Sequence, residues 1–193
     1  MNGHKIVNQN SLHFLTITVV GWIDVFTRQK YRDVIIQSLR YCKQHKGLVI
    51  NAYVVMSNHI HIIAYAQEGY NLSHIIRDFK RFTARAIIQD IIQSPEEGRS
   101  EWMLRLFKYH GKYNGKNDKF QFWIQDNHPI ELVSPSWIKQ KLDYIHLNPV
   151  RSGLVDNGEK YLYSSARQYG GKKGILGVEI IDLGMWGHGT LLN

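Results

Sequence analysis

AYVVMSNHIHIIAY, residues 52–65, is the stretch that decides the fold of this chain. It joins two runs of apolar and β-branched residues, which favour strands over helices. Ser57 and Asn58 separate the two runs, and both residue types are common in turns. The pattern therefore predicts two antiparallel strands, Leu48–Met56 and His59–Ala66, connected by a tight turn.

His59 and His61 stand one residue apart at the start of the second predicted strand. Successive side chains of a strand point to opposite faces, so both imidazoles share one face while Ile60 and Ile62 point into the core. Two neighbouring imidazoles can bind one divalent metal ion, but an isolated pair fits a solvated surface equally well. The pair indicates a metal site only if a third ligand and a reactive group lie elsewhere in the chain.

Length and composition predict one globular domain spanning residues 1–193. The chain has 193 residues, of which 44% are hydrophobic, and its formal net charge is +8. This charge favours a polyanionic partner, above all nucleic acid, with an anionic membrane surface as the alternative. Cys42 is the only cysteine, so an internal disulfide and a cysteine zinc site are excluded. With no signal peptide or apolar run of roughly 20 residues, a cytoplasmic location away from the membrane is expected.

The rest of the sequence predicts an α+β domain, in which an antiparallel sheet carries helices on one face. Besides the hairpin, the predicted segments are a strand over Leu12–Val20, a helix over Arg28–Lys46, a helix from Asn71 or Ser73 to Gln93, an irregular excursion over Ser94–Asn117 with room for a short helix, a strand over Phe120–Gln125, and a helix over Pro135–Leu147 that Pro149 ends. A late apolar run, Ile175–Leu183, is predicted to be an extra strand or a packed extended arm.

Four basic residues of the second predicted helix fall on one broad face: Arg77, Lys80, Arg81 and Arg85. A basic stripe on a lone helix is ordinarily a solvated face. In a basic chain that also carries a candidate metal site, we expect these residues to contact the phosphates of nucleic acid.

Tyr144 and Asn148 stand four residues apart in the last predicted helix, so they lie on one face, a turn from each other. A phenol can attack phosphorus when a metal ion neutralises the phosphate charge and fixes the geometry. Taken alone, Tyr144 is equally explained as an amphipathic helix residue that covers the sheet. Together with the histidine pair, it completes the parts that such a reaction needs.

Two long motifs resemble those of the single-tyrosine HUH transposases, the IS200-like superfamily. VVMSNHIHII, residues 54–63, resembles the HUH motif, in which two histidines flank a bulky apolar residue. DYIHLNPVRSGLV, residues 143–155, resembles the tyrosine helix and its exit, and YLYSSA, residues 161–166, resembles the segment that follows. The resemblance is greatest to the branch of REP-associated tyrosine transposases and covers most of the chain, from about Leu12 to Tyr169.

The resemblance implies a ferredoxin-like sheet and an endonuclease that cuts and rejoins single-stranded DNA near short hairpins through a covalent 5′-phosphotyrosine. It assigns Tyr144 as the nucleophile and His59 and His61 as ligands of Mg²⁺ or Mn²⁺, which suit a site with oxygen ligands. Asn148 sits where related enzymes place a third polar ligand, with His146 close by in sequence. Related enzymes include monomers and homodimers, so the tyrosine acts in its own subunit or in the partner.

Two other functions stay open on the sequence alone. One is a non-catalytic protein that binds single-stranded or hairpin DNA. The other is a metal-dependent phosphohydrolase that uses water, with Tyr144 in a structural role.

Overall fold

The computed structural model describes residues 5–94, 96–112 and 119–183. Its strands and helices follow in the order β1 (His13–Thr18), α1 (Gln29–His45), β2 (Leu48–Val55), β3 (His59–Ala66), α2 (Leu72–Gln93), α3 (Ser100–Lys112), β4 (Ile130–Glu131), α4 (Pro135–Arg151) and the short α5 (Ala166–Tyr169). No helix in these three ranges is long and apolar enough to cross a membrane.

The four strands form one antiparallel sheet in the order β2-β3-β1-β4. This order, with helices after the first and third strands, is ferredoxin-like and confirms the predicted fold class. The hairpin of β2 and β3 turns at Ser57 and Asn58, where the Met56 amide donates to the carbonyl of His59. Both strands of the hairpin therefore lie where the sequence predicts them.

The two faces of the sheet differ in chemistry because β1 and β3 pair in a fixed register. Leu15, Ile17, Ile60 and Ile62 are completely buried on the face that α1 and α2 cover. The opposite face carries Phe14, Thr16 and His61, and α4 packs there against β2 and β3. The tyrosine-bearing helix thus lies across the sheet from the two other long helices.

The structure overturns one predicted strand. The segment Phe120–Gln125 is not a strand: Trp123 makes a single bridge to Val19, and Phe122 and Trp123 are both buried instead of alternating between faces. The strand that pairs with β1 is Ile130–Glu131. Within the stretch predicted as irregular, the short helix forms as α3, and residues 95 and 113–118 lie outside the described ranges.

The last helix continues through Pro149 to Arg151, so the prediction that Pro149 ends it is wrong. A proline in the last turn removes only one backbone hydrogen bond, and the ring of Pro149 is buried. The late apolar run is a packed extended arm and not a strand. The side-chain amide of Asn51 donates to the Glu179 carbonyl, and the backbone amide of Glu179 donates to the Ile50 carbonyl. These two bonds hold the arm along β2.

Gly158 is expected to stabilise the protein by allowing its backbone to pack closely against α4. A Cβ at this position would overlap the carbonyl oxygen of His146 in α4, and neither backbone can give way cheaply. We expect Gly158→Ala to lower the free energy of unfolding by about 1–3 kcal/mol, measured by urea denaturation. Gly98→Ala is the matched control, because a Cβ there meets no atom and should change stability by less than about 0.5 kcal/mol. Equal effects of the two substitutions would contradict this account.

Candidate active site

The histidine pair lies where β3 leaves the turn, on the face that α4 covers. The strand register pairs His61 with Thr16 and His59 with Thr18 of β1. The ring centroids of the two histidines are 4.6 Å apart, which confirms the prediction that both rings share one face of the strand. His61 is 4% exposed, whereas His59 is half-buried.

Both imidazoles are held through their Nδ1 atoms, which directs their Nε2 atoms elsewhere. The Nδ1 of His61 lies 3.0 Å from the hydroxyl of Thr16, and the Nδ1 of His59 lies 2.6 Å from Oδ1 of Asn58. In the described residues, the buried Nε2 of His61 has no hydrogen-bond partner. A buried nitrogen without a partner is costly, so this atom is a candidate position for a ligand.

The surroundings of the pair keep both rings neutral. Burial lowers the pKa of His61 to about 3, with smaller contributions from His59 and Lys141, and burial also lowers the pKa of His59. A neutral imidazole keeps a lone pair on one nitrogen, which is the form that binds metal ions. At neutral pH neither ring would have to lose a proton before binding a cation, and metal binding itself stays a prediction.

Tyr144 lies beside His61, which brings together two motifs that are far apart in the sequence. The ring centroids of Tyr144 and His61 are 5.0 Å apart, and Phe14 contacts both rings. Tyr144 is 36% exposed, so part of the residue is open to solvent. The amphipathic pattern of α4 produces this position, because Leu142 and Ile145 are buried and turn Tyr144 to the rim of the sheet.

Of the two candidates for a third ligand, His146 is turned away from the site. Its Nε2 lies 2.9 Å from the Ser165 hydroxyl, and its ring packs on Tyr169. Asn148 follows Tyr144 by one turn, and its side chain forms no hydrogen bond among the described residues. In those residues no cluster of three or more histidine, cysteine or acidic side chains could hold a metal ion. Two imidazoles with an amide oxygen would fit a divalent cation that also takes phosphate or water oxygens, and Asn148 as the third ligand stays a prediction.

Two cations that the sequence reasoning missed flank Tyr144 on α4. The Lys141 ammonium lies 4.8 Å from the ring centroid of Phe14 and 5.8 Å from that of Tyr144. The Arg151 guanidinium lies 6.0 Å from the Tyr144 ring centroid. Lys141 precedes Tyr144 by three residues and Arg151 follows it by seven, so both lie on the same face of the helix as Tyr144. This spacing can be read from the sequence alone. Both can attract a phosphate to the tyrosine.

The four basic residues of α2 do not form one uniform surface. Arg77, Arg81 and Arg85 are exposed, and Arg77 pairs with its neighbour Asp78. The Lys80 ammonium is used internally, because it donates to the carbonyls of Ile124 and Gln125 and to Oδ1 of Asn127. In the described residues, no hydrogen bond, ion pair or ring contact joins the four to the histidines or Tyr144. Their contact with DNA stays a prediction.

Comparisons with known proteins bear on the family and on the fold. The family model described as Transposase IS200 like matches residues 8–114, more than half of the chain, and this range includes the histidine pair but ends before Tyr144. The structure of a REP-associated tyrosine transposase bound to a REP hairpin has a TM-score of 0.64 at 17% identity, covering 94% of each chain. This likeness shows a shared fold. None of the curated proteins matches the chain.

A second structure, of a Deinococcus radiodurans R1 protein described as a transposase, has a TM-score of 0.42 at 15% identity. It covers 76% of this chain and 98% of its own.

Lys80 is expected to contribute to stability, in contrast to its exposed neighbour Arg81. Lys80→Met leaves three acceptors of the 124–127 segment without their donor, so the free energy of unfolding should fall by about 1–3 kcal/mol. Arg81→Met, the control on the same helix, should change it by less than about 0.5 kcal/mol. Urea denaturation checks both, and an unchanged midpoint for Lys80→Met would show that the three bonds contribute nothing.

Proposed function

Since the chain belongs to the family of IS200-like transposases, we propose that it is a metal-dependent, tyrosine-mediated endonuclease and strand transferase of single-stranded DNA. The family match confirms the family that its two motifs predict. The observation that carries the proposal is the position of Tyr144, whose ring lies 5.0 Å from that of a buried, neutral histidine. A nucleophile, a cation site and two phosphate-attracting side chains meet at one exposed rim. A purely structural tyrosine needs none of these neighbours.

In the proposed reaction the hydroxyl oxygen of Tyr144 attacks the scissile phosphorus. The bond between the tyrosine oxygen and phosphorus forms as the bond between phosphorus and the 3′ oxygen breaks, and the phenol proton ends on the departing 3′ oxygen. The products are a 5′-phosphotyrosine and a free 3′-hydroxyl. Rejoining is the reverse attack by a 3′-hydroxyl, so the energy of the phosphodiester is kept and no nucleotide cofactor is required.

His59, His61 and Asn148 would hold the divalent ion, for which Mg²⁺ or Mn²⁺ fits the donor set. When bound, the ion supplies Lewis-acid polarisation of the scissile phosphate. Thr16 and Asn58 fix the orientation of the two rings through Nδ1, which is the role of outer-shell partners in metal sites. The unpartnered Nε2 of His61 supports this assignment.

The proposed substrate is single-stranded DNA beside a hairpin. Lys141 and Arg151 bracket the nucleophile and can hold the two phosphates on either side of the cut. Recognition of a hairpin is carried over from the structural relative, which is bound to a REP hairpin. A cytoplasmic location and the choice between monomer and homodimer stay predictions.

Removal of one hydroxyl tests the nucleophile. Tyr144→Phe should bind hairpin DNA as the wild type does and form no covalent adduct on a denaturing gel, because only the attacking oxygen is lost. The substrate is the single-stranded flank of the protein's own gene with Mn²⁺ or Mg²⁺. Tyr41→Phe is the control, an exposed tyrosine of α1 on the other side of the sheet. An adduct of undiminished yield in Tyr144→Phe would move the nucleophile elsewhere.

Such an assay also separates the alternatives. A non-catalytic binding protein would give neither adduct nor cleavage, whereas a hydrolase that uses water would give free 5′-phosphate ends without an adduct.

Loss of the two imidazoles should abolish the reaction and leave the protein folded. His59→Ala combined with His61→Ala should show no adduct, and a Mn²⁺ titration of the DNA-free protein should lose its binding signal. His74→Ala, an exposed histidine at the start of α2, should behave as wild type in both measurements. Wild-type cleavage in the double variant would rule out the metal assignment.

The salt dependence of binding distinguishes the two basic surfaces. Each phosphate contact that is lost should reduce the slope of log affinity against log salt by about 0.7 for a single strand. We expect this reduction for Lys141→Gln and for Arg151→Gln, and none for Lys139→Gln, whose ammonium already pairs with Asp143. The triple Gln variant of Arg77, Arg81 and Arg85 tests the α2 residues separately, and an unchanged slope would make them a solvated face.

A further inference from the structure

Trp22 extends the row of rings that forms the candidate active site. It ends the 3₁₀ turn Val20–Trp22, which follows β1, and its ring centroid lies 5.9 Å from that of His59. The successive rings are Trp22, His59, His61 and Tyr144, with centroids 5.9, 4.6 and 5.0 Å apart. Although it contacts a candidate metal ligand, Trp22 is 61% exposed.

The backbone holds Trp22 in a conformation that a bulky residue rarely adopts. Its φ is 55°, in the left-handed region, directly after Gly21 with a φ of 61°. A non-glycine residue in this region costs free energy and persists only where its surroundings fix it. Because Trp22 is mostly exposed, its ring contributes little to the core. Core packing therefore does not explain the strained backbone conformation.

Asn58 links Trp22 to His59 through a single side chain. Its Nδ2 donates to the Trp22 carbonyl at 3.1 Å, while its Oδ1 lies 2.6 Å from Nδ1 of His59. The loop after Trp22 is also fixed, because Arg99 pairs with Asp24 at 3.1 Å and the Phe26 amide donates to the Ser57 carbonyl. The exposed indole is therefore presented from a rigid support, in a fixed position relative to the histidine pair.

We propose that Trp22 is a stacking platform for one base next to the scissile phosphate, held in register with the site by Asn58. This assignment rests on the proposed function. An exposed indole next to a phosphate-binding centre offers a flat apolar surface to an unpaired base, and any base can stack there. The exposed ring lies at one end of the row of rings, in a chain with a net charge of +8. This geometry fits a nucleotide better than the broad apolar surface of a protein partner.

The first test measures binding of an oligothymidylate of about 12 nucleotides, which lies within the site size of single-strand binders. Trp22→Asn removes the ring and places a residue that tolerates the left-handed backbone, so the fold should survive. We expect roughly five- to 150-fold weaker binding, since stacking of one base has that effect on affinity. Trp22→Phe should recover most of the loss. Trp102→Ala, an exposed tryptophan of α3, is the control and should bind as wild type.

Two results of this measurement would overturn the proposal. One is binding by Trp22→Asn within about twofold of wild type, which is less than one stacked base supplies. The other is that the wild type does not bind the oligothymidylate at all.

The second test locates the base. The cleaved strand from the flank of the gene is synthesised with an abasic site at each position around the cut, and adduct yield is measured. One position next to the scissile phosphate should lower the yield of the wild type and leave that of Trp22→Asn unchanged. Equal sensitivity of both proteins at every position would overturn the assignment. If the wild type forms no adduct on any strand, the proposed function fails, and the oligothymidylate measurement still decides the role of Trp22.

Discussion

The antiparallel pairing of β1 with β3 is the constraint on which the rest of the structure depends. It places Thr16 opposite His61, where the threonine hydroxyl meets Nδ1 of the imidazole at 3.0 Å. A slip of one residue would turn His61 into the apolar core and Ile60 out of it, at a large cost in burial free energy. The apolar face of the sheet thus fixes the register, and the register fixes the polar face. The chemistry of the site depends on the packing of the other side.

Burial of the histidines affects both the stability of the fold and the protonation state of the rings. An imidazole that is 4% exposed is costly to charge, and the pKa of His61 falls accordingly to about 3. The same burial leaves one nitrogen of this ring without a partner in the described residues, and the proposed cation would satisfy it. Under the proposed function, the cost of this buried polar group is offset when the ligand binds.

The last helix brings a second periodicity to the site. A strand presents every second residue, whereas a helix presents residues three and four apart, so α4 aligns Lys141, Tyr144, Asn148 and Arg151 along one side. Its buried residues Leu142 and Ile145 attach this side to the rim of the sheet. Tyr144, the two cations and the imidazoles come together because the apolar face of α4 packs on the sheet beside them.

The sequence by itself determined the features that short-range periodicity encodes: the hairpin, the helices α1 and α2, the common face of His59 and His61, and the motifs that indicate the family. The tertiary structure decided the features that depend on distant partners. Only the three-dimensional contacts show that Lys80 is bound to the 124–127 segment, that His146 is turned to Ser165, and that Trp22 stands beside His59. They also show that Ile130–Glu131 pairs with the start of β1, whereas Trp123 makes only a bridge to Val19 beyond its end. A residue type and its spacing predict the face on which a side chain lies, but the partner that this face meets is set by packing between segments far apart in the chain.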